Sequence, residues 1–176
     1  FKSEKVNKFF FKNESQTKSA VDENKNQKYK ITQIEKKPYK RNPYAPFTTS
    51  TMQQEASKKL GFGASRTMQV AQRLYQGFEI DGETIGLITY MRTDGTQISN
   101  EALQSCRSYI ENEIGKNYLP EQPRNYSGKK AKNAQEAHEA IRPTDISRDP
   151  VSLKSILDRD QMRLYEMIWN LSLIHI

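Results

Sequence analysis

The chain has almost no cysteine and no long apolar run. Its single cysteine, Cys106, excludes an internal disulfide and any cysteine-rich zinc site within these 176 residues. No apolar stretch approaches the roughly 18 residues of a membrane-spanning helix. A mean hydropathy of −0.90 with 28% charged residues is typical of a soluble protein. The N-terminus has neither an initiator methionine nor the apolar core of a signal peptide, and we interpret the chain as an internal fragment.

The positive charge is concentrated in the first quarter of the chain. Residues 1–45 contain 12 Lys and Arg against 5 Asp and Glu, whereas the remaining residues contain 16 of each. Aromatic side chains lie among these lysines, and such a segment could follow a nucleic-acid backbone. A lysine-rich solvated surface explains the same composition, so charge alone leaves both interpretations open.

Residues 1–45 have the pattern of two strands from a larger sheet. Residues 5–12 and 28–37 are predicted strands, because side chains alternate in character along the second of them. The polar stretch 13–27 is predicted to be a loop or a short helix. Two strands are not stable alone in water, so we expect a sheet completed elsewhere. Two prolines in residues 40–46 mark a boundary.

A helix, a tight turn, a second helix and a hairpin are predicted next. Ser50 with Gln53 fits a capping box for the first helix, and Gly61 fits its end. The second helix is predicted to be capped by Ser65 and to end at Gly77. An Asp-Gly pair predicts the turn of a hairpin that extends to about residue 90. This is the order of a winged helix-turn-helix.

The second of these helices has an apolar side and a polar side. Its predicted buried side consists of Met68, Ala71, Leu74 and Tyr75. A winged helix-turn-helix would direct its polar side towards DNA, through Arg66, Gln69 and Arg73. A purely solvent-exposed face is the alternative.

Three further helices are predicted in the second half. Ser99 caps one that runs to about residue 114 with Cys106 on its apolar side, and Asp158 with Gln161 opens the last one. Residues 133–141 are predicted to form a short helix that stops before Pro143. The whole pattern predicts a mainly α fold with small β elements, of the α+β class.

A strand-like apolar run leads to Tyr90, and Arg92 follows two residues later. Residues two apart in a strand point to the same face, so the phenol and the guanidinium could meet at one site. A tyrosine is a weak nucleophile at neutral pH because its ordinary pKa is about 10. A nearby cation favours phenolate and can hold a phosphate oxygen. The pair suits attack on a phosphodiester, although a core tyrosine beside a surface arginine has the same spacing.

Four ordered segments carry a resemblance that is more specific than this spacing. They are residues 46–56 (PFTTSTMQQEA), 60–63 (LGFG), 86–95 (GLITYMRTDG) and 138–144 (HEAIRPT). Together they resemble the type IA DNA topoisomerases, the bacterial topoisomerase I family. The resemblance implies a winged-helix-like, catalytic-tyrosine helical domain in residues 46–176 and an incomplete part of the β-rich hinge or gate domain in residues 1–45. Residues from about 171 depart from the family, and we interpret them as a truncated or foreign end.

The resemblance implies roles for individual residues. Tyr90 is the expected nucleophile, which becomes joined to the 5′ phosphate of a cleaved strand, and Arg92 is expected to hold the scissile phosphate. His138 is expected to contact DNA phosphate, with Arg142 on the same helix face. The other candidate contacts with DNA or phosphate are Thr49, Ser50, Gln53, Asp94, Arg66 and Arg73. Helix capping or simple surface exposure is the alternative explanation for these six.

The resemblance also implies parts that these residues lack. The family binds Mg²⁺ through an acidic cluster in a separate Toprim domain, so Mg²⁺ is expected outside this chain. The whole enzyme, an isomerase, is expected to relax negative supercoils without ATP in the bacterial cytoplasm, on the nucleoid. The expected partners are DNA with single-stranded segments and the missing Toprim and gate domains. The isolated chain is expected to be inactive.

Two other functions fit parts of the sequence. A tyrosine recombinase also uses Tyr, Arg and His, but its tyrosine follows the His-x-x-Arg element, whereas Tyr90 precedes His138. A non-catalytic winged-helix DNA-binding module would tolerate phenylalanine at position 90. Within the family, Met91 disfavours the topoisomerase III branch, which usually has proline between the tyrosine and the arginine.

Overall fold

The computed structural model describes residues 5, 7–25, 27–39, 41–124, 126 and 139–174. The chain forms two compact units, Phe1–Arg41 and Asn42–Ile176. In the first unit, helix α1 spans Glu14–Lys25. Asn13 caps it, because its Oδ1 accepts a hydrogen bond from the Gln16 amide at 2.9 Å. Helix α1 lies in the polar stretch 13–27, for which the sequence predicted either a loop or a short helix.

The two strands predicted in the first unit are absent from its described residues. Tyr29 and Ile31, which the alternation placed on one face, are 76% and 77% exposed. A strand needs a partner for its backbone groups and a surface that buries one face. The described part of this unit supplies neither, so the prediction of strands at 5–12 and 28–37 is wrong here.

The second unit begins with the helix, turn, helix and hairpin in the predicted order. Helix α2 spans Thr49–Leu60 and ends at Gly61, which adopts the left-handed conformation with φ 72°. Helix α3 spans Ala64–Gln76, and strands β1 (Phe78–Ile80) and β2 (Glu83–Ile85) pair antiparallel. The predicted two-residue turn is confirmed, since Asp81 and Gly82 have φ values of 54° and 84°.

The N-caps of α2 and α3 each lie two residues before the predicted ones. Thr48, not Ser50, is the N-cap of α2. Its hydroxyl accepts a hydrogen bond from the Thr51 amide, and the Thr51 hydroxyl accepts one from the Thr48 amide. Gly63, not Ser65, precedes α3 in extended conformation. The choice among neighbouring hydroxyl residues depends on where the backbone leaves the extended region, which a local pattern does not fix.

The second half of this unit contains two long helices. Helix α4 spans Asn100–Tyr109 and continues as π-helical turns over Ile110–Gly115 and a 3₁₀ turn over Lys116–Tyr118. Helix α5 spans Arg159–Ile174. The predicted caps are confirmed, because Ser99 accepts from the Ala102 amide and Asp158 accepts from the Gln161 amide.

Residues 139–141 are not helical, which corrects part of the predicted helix at 133–141; the rest of that helix lies outside the described residues. Ile141 instead forms an isolated bridge with Phe47, and Pro143 forms one with Ile88. The proline at 143 disfavours a helical backbone at the preceding residue. An extended path then lets residues 140–144 bond to distant parts of the chain.

The core lies where α5 packs against α2 and α3. The side chains that this contact buries completely include Met52, Ala56, Leu74, Leu164, Tyr165 and Ile168. A smaller cluster contains Cys106, as predicted, and Trp169 packs against both clusters. Tyr75 was predicted to be buried but is 41% exposed. The mainly α fold with a small β component is confirmed.

Candidate active site

Tyr90 lies at the surface beside another tyrosine. Its side chain is 39% exposed, and its ring meets the Tyr75 ring edge-on, with centroids 5.4 Å apart and planes at 66°. The Tyr75 ring thus supports the Tyr90 ring from one side, while Tyr90 stays partly exposed. Tyr75 therefore belongs to the surroundings of Tyr90, although its helical spacing predicted a place in the core.

Residues 86–95, here called the tyrosine segment, follow the end of β2 at Ile85 without continuing it as a strand, and the chain bends at Thr89, Met91 and Arg92. The predicted strand to residue 90 is therefore too long. Buried and exposed side chains nevertheless alternate over residues 90–94. Met91 and Thr93 are buried, whereas Tyr90, Arg92 and Asp94 are exposed. The two buried side chains anchor the segment to the core and leave a phenol, a guanidinium and a carboxylate at the surface.

The start of α2 holds the tyrosine segment just after Tyr90. The Thr49 hydroxyl donates to the Met91 carbonyl at 2.7 Å and accepts from the Thr93 amide at 2.8 Å. The Thr49 amide donates to the Thr93 carbonyl, also at 2.8 Å. Two of the first three amides of α2 are therefore engaged within the chain, those of Thr49 and Thr51.

Residues 140–144 hold the same segment just before Tyr90. The Thr89 hydroxyl donates to the Ala140 carbonyl at 2.7 Å and accepts from the Arg142 amide at 3.0 Å. The Thr89 amide donates to the Arg142 carbonyl at 2.9 Å. The Thr144 hydroxyl donates to the Gly86 carbonyl at 2.6 Å. Tyr90 thus lies between two threonine-based attachments to distant parts of the fold.

The side chain of Arg142, whose backbone bonds to Thr89, forms an ion pair with Glu139. Its Nε and Nη2 donate to the two carboxylate oxygens of Glu139 at 2.7 and 2.9 Å, and its Nη1 donates to the Pro143 carbonyl at 2.7 Å. The carboxylate also accepts from the Ser99 amide at 2.7 Å, which connects the pair to the start of α4. This bidentate pair fixes the planar guanidinium in one orientation.

The pKa of the Glu139 carboxyl is lowered by this arrangement. Partial burial raises it, but the hydrogen bonds from Arg142 and Ser99, together with the charge of Arg142, outweigh burial. A depressed carboxyl pKa stabilises the folded state above the ordinary pKa of 4.5, and this contribution is lost as the pH falls through the lower folded value.

We expect Glu139→Gln to be less stable than the parent chain at pH 7 and to lose less stability on acidification. Urea unfolding at pH 7, 5 and 3 measures both effects. The gap between variant and parent should narrow below pH 4.5, the ordinary value of this carboxyl. Glu79→Gln, at an exposed position of β1, is the control. A gap that stays constant to pH 3 would show that ionisation of Glu139 is not its origin.

A cavity of about 270 Å³ lies next to Arg142 and is lined by Ser99, Cys106 and Asp145 among others. Burial raises the pKa of the Cys106 thiol to about 11, although the charge of Arg142 acts in the opposite direction. The thiol is therefore protonated at neutral pH, when it is a poor nucleophile. Cys106 is a packing residue of this region.

The two arginines predicted on the polar side of α3 are exposed but stacked on aromatic rings. Arg66 pairs with Asp160 of α5 and lies 5.3 Å from the centre of the Phe62 ring. Arg73 lies 5.0 Å from the centre of the Phe78 ring. The Asp160 pair gives Arg66 a role in joining α3 to α5, besides any contact with DNA.

Ser50 and Gln53 follow Thr49 in the first turn of α2. The Ser50 hydroxyl accepts from the Gln54 side chain at 3.1 Å, and Gln53 is half-buried. His138 lies outside the described residues. The structure thus brings Tyr90, Arg92, Asp94, Thr49 and the backbone of Arg142 into one region around the tyrosine segment.

Two attachments of this region escaped the sequence analysis. Thr89 directly precedes Tyr90, and Thr49 was considered as a phosphate contact rather than as a partner of residues 91–93. The available clue was the run of hydroxyl residues at a helix start, but such a run is explained equally well by capping. In the described part of the chain, no three His, Cys, Asp or Glu side chains form a metal-sized group, and no helix could cross a membrane.

Comparison with known proteins decides the family. The model of the DNA topoisomerase family matches residues 1–176. The chain belongs to the bacterial type IA DNA topoisomerases. It is 53% identical to DNA topoisomerase 1 of Rickettsia felis over 94% of this chain and 21% of that protein. The corresponding values for the Haemophilus influenzae protein are 51%, 94% and 18%.

A solved structure agrees with these relatives. Full-length topoisomerase I from Thermotoga maritima matches 76% of this chain and 20% of its own with a TM-score of 0.63 and 41% identity. This chain therefore spans about a fifth of the length of the topoisomerases that it matches.

Proposed function

We propose that this chain carries the nucleophile of a DNA topoisomerase that cleaves one DNA strand, passes a strand through the break and rejoins it. Tyr90 is the nucleophile and Arg92 holds the scissile phosphate. The observation that carries the proposal is the placement of Tyr90 at the surface on a segment attached on both sides, with Arg92 exposed two residues later. The family membership of the chain supports it.

The reaction exchanges one phosphodiester for another. The phenolic oxygen of Tyr90 attacks the phosphorus, the phenolic proton leaves, and an oxygen–phosphorus bond to tyrosine forms. The bond from phosphorus to the 3′ oxygen breaks, and that oxygen takes up a proton. The reverse step restores the strand. Because the phosphotyrosyl bond conserves the energy of the phosphodiester, religation needs no ATP. Arg92 stabilises the negative charge that develops on the phosphate oxygens.

The remaining predicted contacts surround this reaction. His138 and Arg142 are proposed to contact phosphate near Tyr90, and Asp94 to orient Arg92. Proposed contacts of the bound strand with α2 and α3 are Ser50, Gln53, Arg66 and Arg73, whereas the hydroxyl and amide of Thr49 are engaged within the chain. The Glu139 carboxylate holds the Arg142 guanidinium in one orientation. Arg142 would therefore meet the phosphate from a fixed position.

Other parts of the reaction are proposed to lie outside this chain. Mg²⁺ would be held by an acidic cluster in a Toprim domain, where it would offset the charge of the DNA backbone. Residues 1–45 would belong to the hinge or gate domain that opens for strand passage. Negatively supercoiled DNA with single-stranded segments is the proposed substrate, on the cytoplasmic nucleoid. The 176 residues alone are proposed to neither cleave nor relax DNA.

The polarity of the covalent link tests this function. A full-length family member that carries this segment is incubated with single-stranded DNA and Mg²⁺ and denatured rapidly. A 5′-phosphotyrosyl link retains label from 3′-labelled DNA on the protein and releases label from 5′-labelled DNA. The 176-residue chain alone should retain neither. Retention of the 5′ label would contradict the mechanism, and retention of neither by an active, folded enzyme would favour the non-catalytic DNA-binding module.

A further inference from the structure

We infer that Thr49 is the positioning residue that sets the backbone of residues 91–93 and thereby aims Tyr90 and Arg92. Its hydroxyl and its amide together make contacts of 2.7–2.8 Å with the Met91 carbonyl, the Thr93 amide and the Thr93 carbonyl. These polar groups lie on either side of Arg92. The inference rests on the proposed function, because the aim of the phenol matters only if Tyr90 reacts.

The tyrosine segment needs such a partner because it leaves the sheet before Tyr90. Strand β2 ends at Ile85, and the backbone bonds to residues 142–144 align the segment only as far as Thr89. The buried Met91 and Thr93 side chains fix how deep the segment lies, but not the direction of its peptide groups. A threonine hydroxyl can donate once and accept as well, so one side chain aligns two peptide groups of the tyrosine segment.

Thr49 is well suited to this task by its own attachment. It occupies the first turn of α2, which the reciprocal bonds of Thr48 and Thr51 fix at its start. Its β-branched side chain has few rotamers, so the hydroxyl stays close to one position. The hydroxyl lies 2.7 Å from the Met91 carbonyl and 3.0 Å from the Thr93 carbonyl, so both acceptors for its single proton belong to the tyrosine segment. Thr49 therefore acts on the reaction through this segment rather than by donating to phosphate.

Removal of this hydroxyl should affect cleavage more than binding. The noncovalent contacts of DNA with exposed cations do not depend on the Thr49 hydroxyl. The alignment of Tyr90 with the scissile bond does, and a misplaced reacting group lowers the rate of the chemical step. We expect a fall of about tenfold in single-turnover cleavage, comparable to the loss of one hydrogen bond in the transition state.

The experiment compares Thr49 variants in a full-length family member that carries this segment. Thr49→Val replaces the hydroxyl with a methyl group of similar size. Thr49→Ser and Thr49→Ala both remove the methyl group but differ in the hydroxyl, so they keep the comparison valid if the valine variant folds poorly. Thr67→Val is the control, because that buried hydroxyl donates to the carbonyl of Gly63, the residue that precedes α3, and no hydrogen bond joins it to the tyrosine segment in the described structure.

The readouts are the single-turnover rate of covalent complex formation, the Kd for the same DNA without Mg²⁺, and amide hydrogen exchange at residues 91–93 in the 176-residue chain. We expect Thr49→Val and Thr49→Ala to cleave about tenfold more slowly, to bind within about twofold of the parent, and to exchange faster at residue 93. Thr49→Ser and Thr67→Val should resemble the parent in all three.

Two results would overturn the inference. One is equal cleavage by the serine and alanine variants. The other is a loss of DNA affinity as large as the loss of rate, which would make Thr49 a phosphate contact. Neither can be confused with failure of the proposed function, in which the parent enzyme itself forms no covalent complex. Amide hydrogen exchange measures how firmly residues 91–93 are held by Thr49, and it does not depend on whether DNA is cleaved.

Discussion

Tyr90→Phe is expected to abolish the covalent protein–DNA complex while leaving the fold intact. The substitution removes one oxygen atom from a side chain that is 39% exposed and keeps the ring that meets Tyr75. Stability should therefore change by no more than about 0.5 kcal/mol, as for most surface substitutions. The nucleophilic atom itself is lost, so cleavage should fall by about a thousandfold or more. Denaturing electrophoresis of 3′-labelled DNA measures the complex.

The matched control for this variant is Tyr75→Phe. It makes the same chemical change in the other ring of the pair, 5.4 Å away between centroids. The covalent complex should persist in this variant. If label persisted on Tyr90→Phe and disappeared from Tyr75→Phe, the nucleophile would be Tyr75 and the assignment wrong. If both variants lost the complex while both bound DNA, the pair rather than one phenol would be required.

Gly77→Ala is expected to have the largest effect on stability. Gly77 has φ 99°, and a Cβ atom at this position would lie 2.7–2.8 Å from backbone atoms of Ile85 and Gly86. Those atoms belong to the end of β2 and the start of the tyrosine segment, which would have to move together. We expect a loss of about 3 kcal/mol or more in the free energy of unfolding, from the positive φ and the clash combined. Urea unfolding monitored by circular dichroism measures it.

Gly82→Ala separates the two causes. Gly82 has a similar φ of 84°, but nothing lies within 4 Å of a Cβ atom built there. This control should lose only the cost of the left-handed conformation, about 1–2 kcal/mol. Equal losses in the two variants would show that contact with residues 85 and 86 contributes nothing, and that the tyrosine segment has room to move.

The sequence predicted the local structure of the second unit well. The end of α2 at Gly61, the turn at residues 81 and 82 and the caps at Ser99 and Asp158 follow from rules that involve neighbours in the chain. The strands predicted in residues 1–45 failed because a strand depends on a partner outside its own sequence. The same limitation explains why a helix was predicted where residue 141 instead bridges to residue 47.

Tyr90 and Arg92 were selected from the sequence as the reacting pair because they belong to an ordered set of motifs, and their roles stay a prediction. The prediction that Arg142 lies on a helix with His138 is wrong at Arg142, which lies in a non-helical stretch and bonds to Glu139. The exposure of Tyr75 was not predicted. Helical spacing shows which residues share a face, but it does not show whether a neighbouring element covers the end of that face.

The sequence by itself predicted the family, which the comparisons confirm, and the helices and turn around Tyr90, because these depend on residue identity and on contacts a few positions apart. The tertiary structure alone decided how Tyr90 is held. The hydroxyls of Thr49 and Thr89 reach carbonyl groups 42 and 51 residues away along the chain. Hydrogen bonds over such separations form only after the core of α2, α3 and α5 has brought their backbones together, so a local pattern does not encode them.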